Sequence, residues 1–215
     1  MATDEMVAEY DEGGTPVGTV ARSVMRARGL WHAATAVLVR SPDGSQVYVH
    51  RRSDTKDVFP GCHDCFGGGV VAAGETPDEC ARRELAEELG VTGVTPVPLF
   101  TFRYVDPPIR YHAHVYEVRW TGPIVWQPSE VVAGRWMPVA ELVERLADPA
   151  WPFVPDGRMA VERWLAGQTG SGSVAVERHS EAEADRSSPV RCPHGSTRRP
   201  DSASERAGEP VPRSV

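Results

Sequence analysis

The chain has 215 residues, 40% hydrophobic and 25% charged, the balance of one ordinary soluble domain with something left over. Its most apolar stretch, Ala33 to Val39, is broken by Thr35 and falls far short of the ~20 residues that span a bilayer, which excludes a membrane-spanning helix. The net charge is −7, and since residues 167–215 hold seven arginines and seven acids, the whole excess belongs to residues 1–166 and speaks against nucleic-acid backbone binding. The first residues, Met1-Ala-Thr-Asp-Glu-Met6, do not read as a secretory signal. Four cysteines are too few for a disulfide scaffold, and the expected location is a reducing cytoplasm.

In chain order, Met6 to Tyr10 reads as a short strand ended by Asp11-Glu-Gly-Gly14, and a helix is expected over about 20–28. His32 to Arg40 and Gln46 to Arg51 are strand-like runs joined by Ser41-Pro-Asp-Gly-Ser45, a hairpin signal. A helix follows over 76–89. Pro98 to Val105 and Tyr111 to Trp120 form a second strand pair across Asp106-Pro-Pro108, and Val131 to Val139 is a last strand. Helices are expected over 139–147 and 156–166. Strands with helices between and after them imply a mixed sheet covered on both faces, an α/β sandwich occupying residues 1–166. Residues 167–215 contain no Leu, Ile, Met, Phe, Tyr or Trp, and 19 of the 49 are Gly, Pro or Ser. Such a segment cannot bury enough apolar area to offset chain entropy and is expected to be disordered.

The segment Gly69 to Val91 carries the chemistry. Thr76 is a helix N-cap, Pro77 stands at the first helical position, Glu79 completes a capping box, and Gly90 supplies the stop. At 100° per residue, Ala81, Leu85 and Leu89 share one buried stripe, while Glu84, Glu87 and Glu88 crowd the adjacent arc. Like charges at i,i+4 destabilise a helix by roughly 0.2–0.5 kcal/mol, a repulsion that a hard divalent cation with oxygen ligands would offset. Arg83 lies i,i+4 from both Glu79 and Glu87 and can hold the acidic side chains in register.

Gly69, Glu75, Arg83, Glu84, Glu87, Glu88 and Gly90 together fit G-x5-E-x7-R-E-x-x-E-E-x-G, with Leu85 and Val91 in the apolar slots. This is the Nudix box, and the sequence resembles the Nudix hydrolase superfamily. The resemblance implies an α/β/α sandwich over about residues 5–165. It also implies a loop–helix–loop that binds Mg2+ or Mn2+, and hydrolysis of a nucleoside diphosphate linked to another moiety or of another small organic diphosphate. Glu84, Glu87 and Glu88 would then be metal ligands on the helix, and Glu75 would support the metal shell or its water. Gly69 would offer a backbone carbonyl near the ion, Gly74 would permit the tight loop, and Arg83 would orient the glutamates. The general base comes from the helix or from a later loop. Glu130 is the candidate distal carboxylate, with Glu117 behind it.

Upstream, Arg51, Arg52 and Lys56, the only lysine of the chain, place three cations shortly before the loop as candidate contacts for substrate phosphate. With Leu30-Trp-His32 and Pro60-Gly61, this stretch resembles the Nudix branch near isopentenyl-diphosphate isomerase and its uncharacterised hydrolases. Aligned from Pro60-Gly61, the isomerase cysteine would fall on Gly68 and the histidine near Val70, so both groups are missing while the hydrolase glutamates are present. Hydrolase is the favoured reading. The isomerase and a catalytically silent binding or regulatory module are the alternatives. Cys62-His63-Asp64-Cys65 would need a distant histidine to complete a four-ligand zinc site and precedes a strand, so it is read as pocket lining. His32 is read as a hydrogen-bonded sheet histidine, and Trp31, Phe59, Phe66 and Tyr104 as aromatics near the mouth or in the core. The expected partner is a small diphosphate. Oligomeric state is open, with a homodimer among the possibilities.

Overall fold

A computed structural model of the chain describes residues 4–170. It begins with a hairpin of β1 (Met6–Tyr10) and β2 (Pro16–Ala21), a two-stranded sheet of its own, followed by α1 (Arg22–Arg28). The main sheet takes β3 (His32–Arg40), β4 (Gln46–Arg52) and the two-residue strands β5 (His63–Asp64) and β6 (Phe66–Gly67). After α2 (Pro77–Leu89) come β7 (Val97–Asp106), β8 (Ile109–Arg119) and β9 (Val131–Pro138), then α3 (Val139–Ala147) and α4 (Pro155–Gly170).

The main sheet runs β5-β4-β3-β8-β7, with β6 added on β3 and β9 on β4. β3 and β8 are parallel and the other pairs antiparallel, so the sheet is mixed as expected. Alternate residues of one strand serve opposite cores. Leu38, Val47 and Val49 pack with Leu142 of α3 and with Ala160, Val161 and Trp164 of α4. Val37, Val39 and Tyr48 pack with Ala81, Leu85 and Leu89 of α2. Helices therefore cover both faces. Among the described residues no helix is long and apolar enough to cross a membrane.

Three expectations need correction. Pro16–Ala21 is a strand, so the helix expected from about residue 20 begins at Arg22; the turn at residues 11–14 folds the chain back onto β1. The β3–β4 hairpin pairs only near its turn, at Arg40 and Val47, because β6 takes the place beside Val37 and Leu38. Residues 167–170 continue α4, although the sequence placed them in the disordered segment. The rest of that segment lies outside the described residues.

Candidate active site

The loop before α2 and the helix itself are built as their sequence reads. Thr76 Oγ1 accepts the Glu79 N–H at 3.3 Å, and the Glu79 carboxylate accepts the Thr76 N–H at 2.9 Å, which closes the capping box. Gly74 takes a φ of +81°. The loop is sewn to β3 where the Thr35 N–H donates to the Gly69 carbonyl at 2.9 Å. A Cβ at Gly69 would fall on the Glu84 carboxylate, and one at Gly68 would overlap the Thr35 carbonyl. Only glycine lets this backbone pass so close to both the strand and the helix acids.

Arg83 gathers three of those acids. Its Nε and Nη2 donate to the two oxygens of Glu75 at 2.8 and 2.9 Å, and Nη1 reaches Glu84 at 2.8 Å and Glu87 at 3.2 Å. This hydrogen bonding holds the Glu75 carboxyl below the usual range. Glu88 is 5% exposed and accepts the Gly68 N–H at 3.0 Å. Lys56 Nζ stands 3.5 Å from Glu88 and also pairs with Glu130 across the cleft. Burial raises the Glu88 carboxyl despite that lysine. Burial, with Glu88 beside it, pushes Glu84 up to about 6.

A carboxylate raised by burial and by neighbouring carboxylates, as Glu84 is, marks a natural seat for a divalent cation. Glu75, Glu84, Glu87, Glu88 and the Gly69 carbonyl are an all-oxygen donor set that fits a hard one. As the side chains stand, no three Asp, Glu, His or Cys among the described residues converge on one point. Arg83 and Lys56 hold the carboxylates in their place, so a metal would exchange with protein cations already present.

Gly69, Lys56, Arg83, Glu84, Glu87 and Glu88 line one cleft of about 330 Å³ that also receives Arg22, Arg26, Arg52, Asp64, Tyr111 and Asp156. Gly69, Arg52, Lys56, Arg83, Glu84, Glu87, Glu88 and Glu130 are brought together there; Arg51 and Glu117 are not. Neighbours on a strand face opposite ways. Arg52 turns into the cleft, donating to the Val58 carbonyl at 3.0 Å, while Arg51 pairs with Asp54 at 2.5 Å beside a second pocket. Glu117 is committed to Arg40 at 3.0 Å and Arg119 at 2.9 Å. Glu75 does not line the cleft itself and acts on it through Arg83. His32 is buried, contacts the Leu30 carbonyl at 3.1 Å, and is held down to about 4 by burial. Phe59 and Phe66 line the cleft, Trp31 stacks on His112, and Tyr104 is in the core. Cys65 is a buried thiol pushed well up by burial, unsuited to redox work.

Sequence reasoning placed Asp64 within a pocket-lining stretch but missed Tyr111 and Asp156 as cleft residues. They lie far apart in the chain, and no local pattern joins them.

Comparison with known proteins identifies the family. The family model for the NUDIX domain matches residues 30–157. An uncharacterized Nudix hydrolase of Rhodococcus erythropolis is 50% identical over 164 residues, covering 72% of this chain and 89% of that protein. One of Streptomyces coelicolor is 45% identical over 177 residues, covering 80% and 96%. The crystal structure of DR0079 from Deinococcus radiodurans superposes with a TM-score of 0.64 at 28% identity, covering 74% of this chain and 98% of that one. The chain belongs to the Nudix family and is a hydrolase of its pyrophosphohydrolase class.

Proposed function

We propose that the protein is a Mg2+-dependent hydrolase, Mn2+ serving in the same seat, that cleaves the diphosphate linkage of a nucleoside diphosphate-X or similar small organic diphosphate. One observation carries the reading: half-buried Glu84, whose carboxyl is raised by the buried Glu88 beside it, faces a glycine loop inside a cleft that also holds Arg22, Arg26, Arg52 and Lys56. Glu84, Glu87 and Glu88 would hold the ion, Gly69 would offer its carbonyl, and Glu75 orients Arg83, which gathers Glu84 and Glu87. The bound ion would neutralise phosphate oxygens and lower the pKa of a water.

The chain's own groups do the rest. Arg52 and Lys56 hold substrate oxygens, and the Gly68 N–H keeps the Glu88 carboxylate in place. A carboxylate of the cluster takes the proton of the attacking water, with Glu130 as the candidate outside the helix. Gly68 also separates this reading from the isomerase, because a side chain at that position would overlap the Thr35 carbonyl.

The test is phosphate release from nucleoside diphosphate-X and isoprenoid diphosphates in Mg2+, with Glu88→Gln as control. Glu88→Gln is expected to cost roughly 10²–10⁴-fold in rate. Undiminished release from that variant refutes the assigned site. Double-bond migration without release points to the isomerase, and binding without turnover to a regulatory module. Removing residues 171–215 is expected to leave turnover intact.

A further inference from the structure

A second cavity, of about 320 Å³, lies apart from the cleft and shares no lining residue with it. The same strands build both. Alternation along β4 turns Arg52 into the cleft and Arg51 into this pocket, and along β5 it divides Asp64 from His63 in the same way. Arg51 and His63 are direct cross-strand partners, and β9 adds Arg135 and Met137 from the other edge of β4. Arg145 of α3 and Trp151 complete the wall. The proposed reaction gives this pocket no task.

Its lining holds three arginines and two histidines, and no aspartate or glutamate, in a chain whose net charge is −7. The acids that pair with the arginines stand outside the wall. Asp54 accepts from Arg51 at 2.5 Å. Glu141 accepts from Arg135 Nη1 at 3.1 Å and from Arg145 Nε at 2.8 Å. One carboxylate therefore serves two guanidiniums, and three cations meet only two acids. His63 registers the surplus. Burial, and then the charges of Arg51, Arg145 and Arg135, hold its imidazole below the ordinary value, against the pull of the Pro152 carbonyl.

Guanidinium N–H forks match the oxygens of phosphate and carboxylate, and an anion between like charges relieves their repulsion. Val49, Met137 and Trp151 add apolar surface on which a small carbon body can rest. We propose that this pocket is a second ligand site, where Arg51, Arg135 and Arg145 take a compact organic oxyanion of more than one negative charge without a metal. The anionic oxygens come from a phosphate monoester or from a polycarboxylate. The site is independent of the hydrolase reading, because it uses none of the groups assigned to turnover.

The test is calorimetry of the full chain in metal-free, phosphate-free buffer, with glycerol 3-phosphate, citrate and inorganic phosphate as probes. Proton NMR of the His63 ring, assigned through His63→Gln, locates the bound anion. One of the organic anions is expected to bind more tightly than inorganic phosphate and to shift the His63 signals. Which of the two it is separates the phosphate source from the carboxylate. Arg135→Gln and Arg145→Gln, on different elements, are each expected to weaken it roughly tenfold. Glu141→Gln releases both arginines and is expected to strengthen it severalfold, which arginines serving only as structural ion pairs would not do. Arg52→Gln combined with Lys56→Gln, in the separate cleft, should change it by no more than about twofold. Unmoved His63 signals with both organic anions overturn the site. So does binding lost in the cleft variant but kept in Arg135→Gln and Arg145→Gln, or binding weakened by Glu141→Gln. Thermal melts confirm that each variant is folded, and turnover is not a readout, so failure here leaves the hydrolase reading untouched.

Discussion

Asp64→Asn tests how the cleft treats a buried charge. Burial, together with Asp156 and Glu88, pushes the Asp64 carboxyl up to about 7 from its ordinary 3.8, against the opposing pull of Arg52. An acid whose native pKa is raised holds its proton in the folded state over a range where the unfolded chain has released it. Stability therefore falls as pH rises from about 4 to about 7, and the full penalty persists above that range. A shift of about three units at 1.36 kcal/mol each corresponds to about 4 kcal/mol at full ionisation. Substitution also leaves Arg52 without its counter-ion, which returns part of the gain and leaves about 2 kcal/mol. For a domain of this size that is a rise of roughly 4–8 °C in melting temperature. Melts of both proteins in chelator are expected to coincide near about pH 4 and to separate progressively up to about pH 8. A gap that does not change with pH, or a variant less stable than wild type at about pH 8, refutes the assignment of a strained carboxylate.

The helix acids have a parallel signature. Mg2+ at a hundredfold excess over its dissociation constant is expected to add about 2.7 kcal/mol to wild-type stability, read as a melting shift, and to add little in Glu84→Gln. Because the Glu84 carboxyl is pushed up to about 6, protonation competes with the ion, so this protection should fade as pH drops below that value. Protection that is constant down to about pH 4 would show the ion seated elsewhere. Gly69→Ala drives a methyl group onto the Glu84 carboxylate. It is expected to cost roughly tenfold or more in kcat/KM, since small misplacements of positioning groups are expensive. Unchanged kinetics would mean that Glu84 moves freely out of its place.

What could be read from the sequence was set by how local each signal is. Thr76, Pro77, Glu79 and Gly90 bound α2 within fifteen residues, and the acidic arc follows from helical geometry alone. The strand pair over 97–119 declares itself by its own alternation and the intervening prolines. The cleft's other half depends on tertiary pairing. Tyr111 reaches Asp156 only because β8 lies parallel to β3 and α4 returns across that face. Alternation puts Arg51 and Arg52 on opposite faces, but which of the two faces the cleft depends on how β4 sits between its neighbours, which composition cannot show. Likewise, nothing in the neighbourhood of residue 56 reveals that Lys56 lies against acids 32 and 74 positions away.

That lysine gives the site a property the glutamates alone would lack. Lys56 Nζ neutralises Glu88 and Glu130 in the resting protein, and Arg83 does the same for Glu75, Glu84 and Glu87. A cation arriving at Glu88 must therefore push against a lysine that sits 3.5 Å from the same carboxylate. At about 4 Å and an effective dielectric near 20, such like-charge opposition amounts to about 4 kcal/mol per unit charge, and about twice that for a divalent ion. Lysine can relieve it by swinging toward an incoming diphosphate. Metal and substrate should then bind with positive coupling, each removing an obstacle to the other. Lys56→Gln separates these effects. Mg2+ affinity without substrate is expected to rise severalfold as the competing charge is lost, while KM for the diphosphate rises and the coupling shrinks. Calorimetry of Mg2+ binding with and without a non-hydrolysable diphosphate reads all three. A fall in Mg2+ affinity in the variant would mean that Lys56 only braces the carboxylates, and the exchange of internal for bound cations would have to be abandoned.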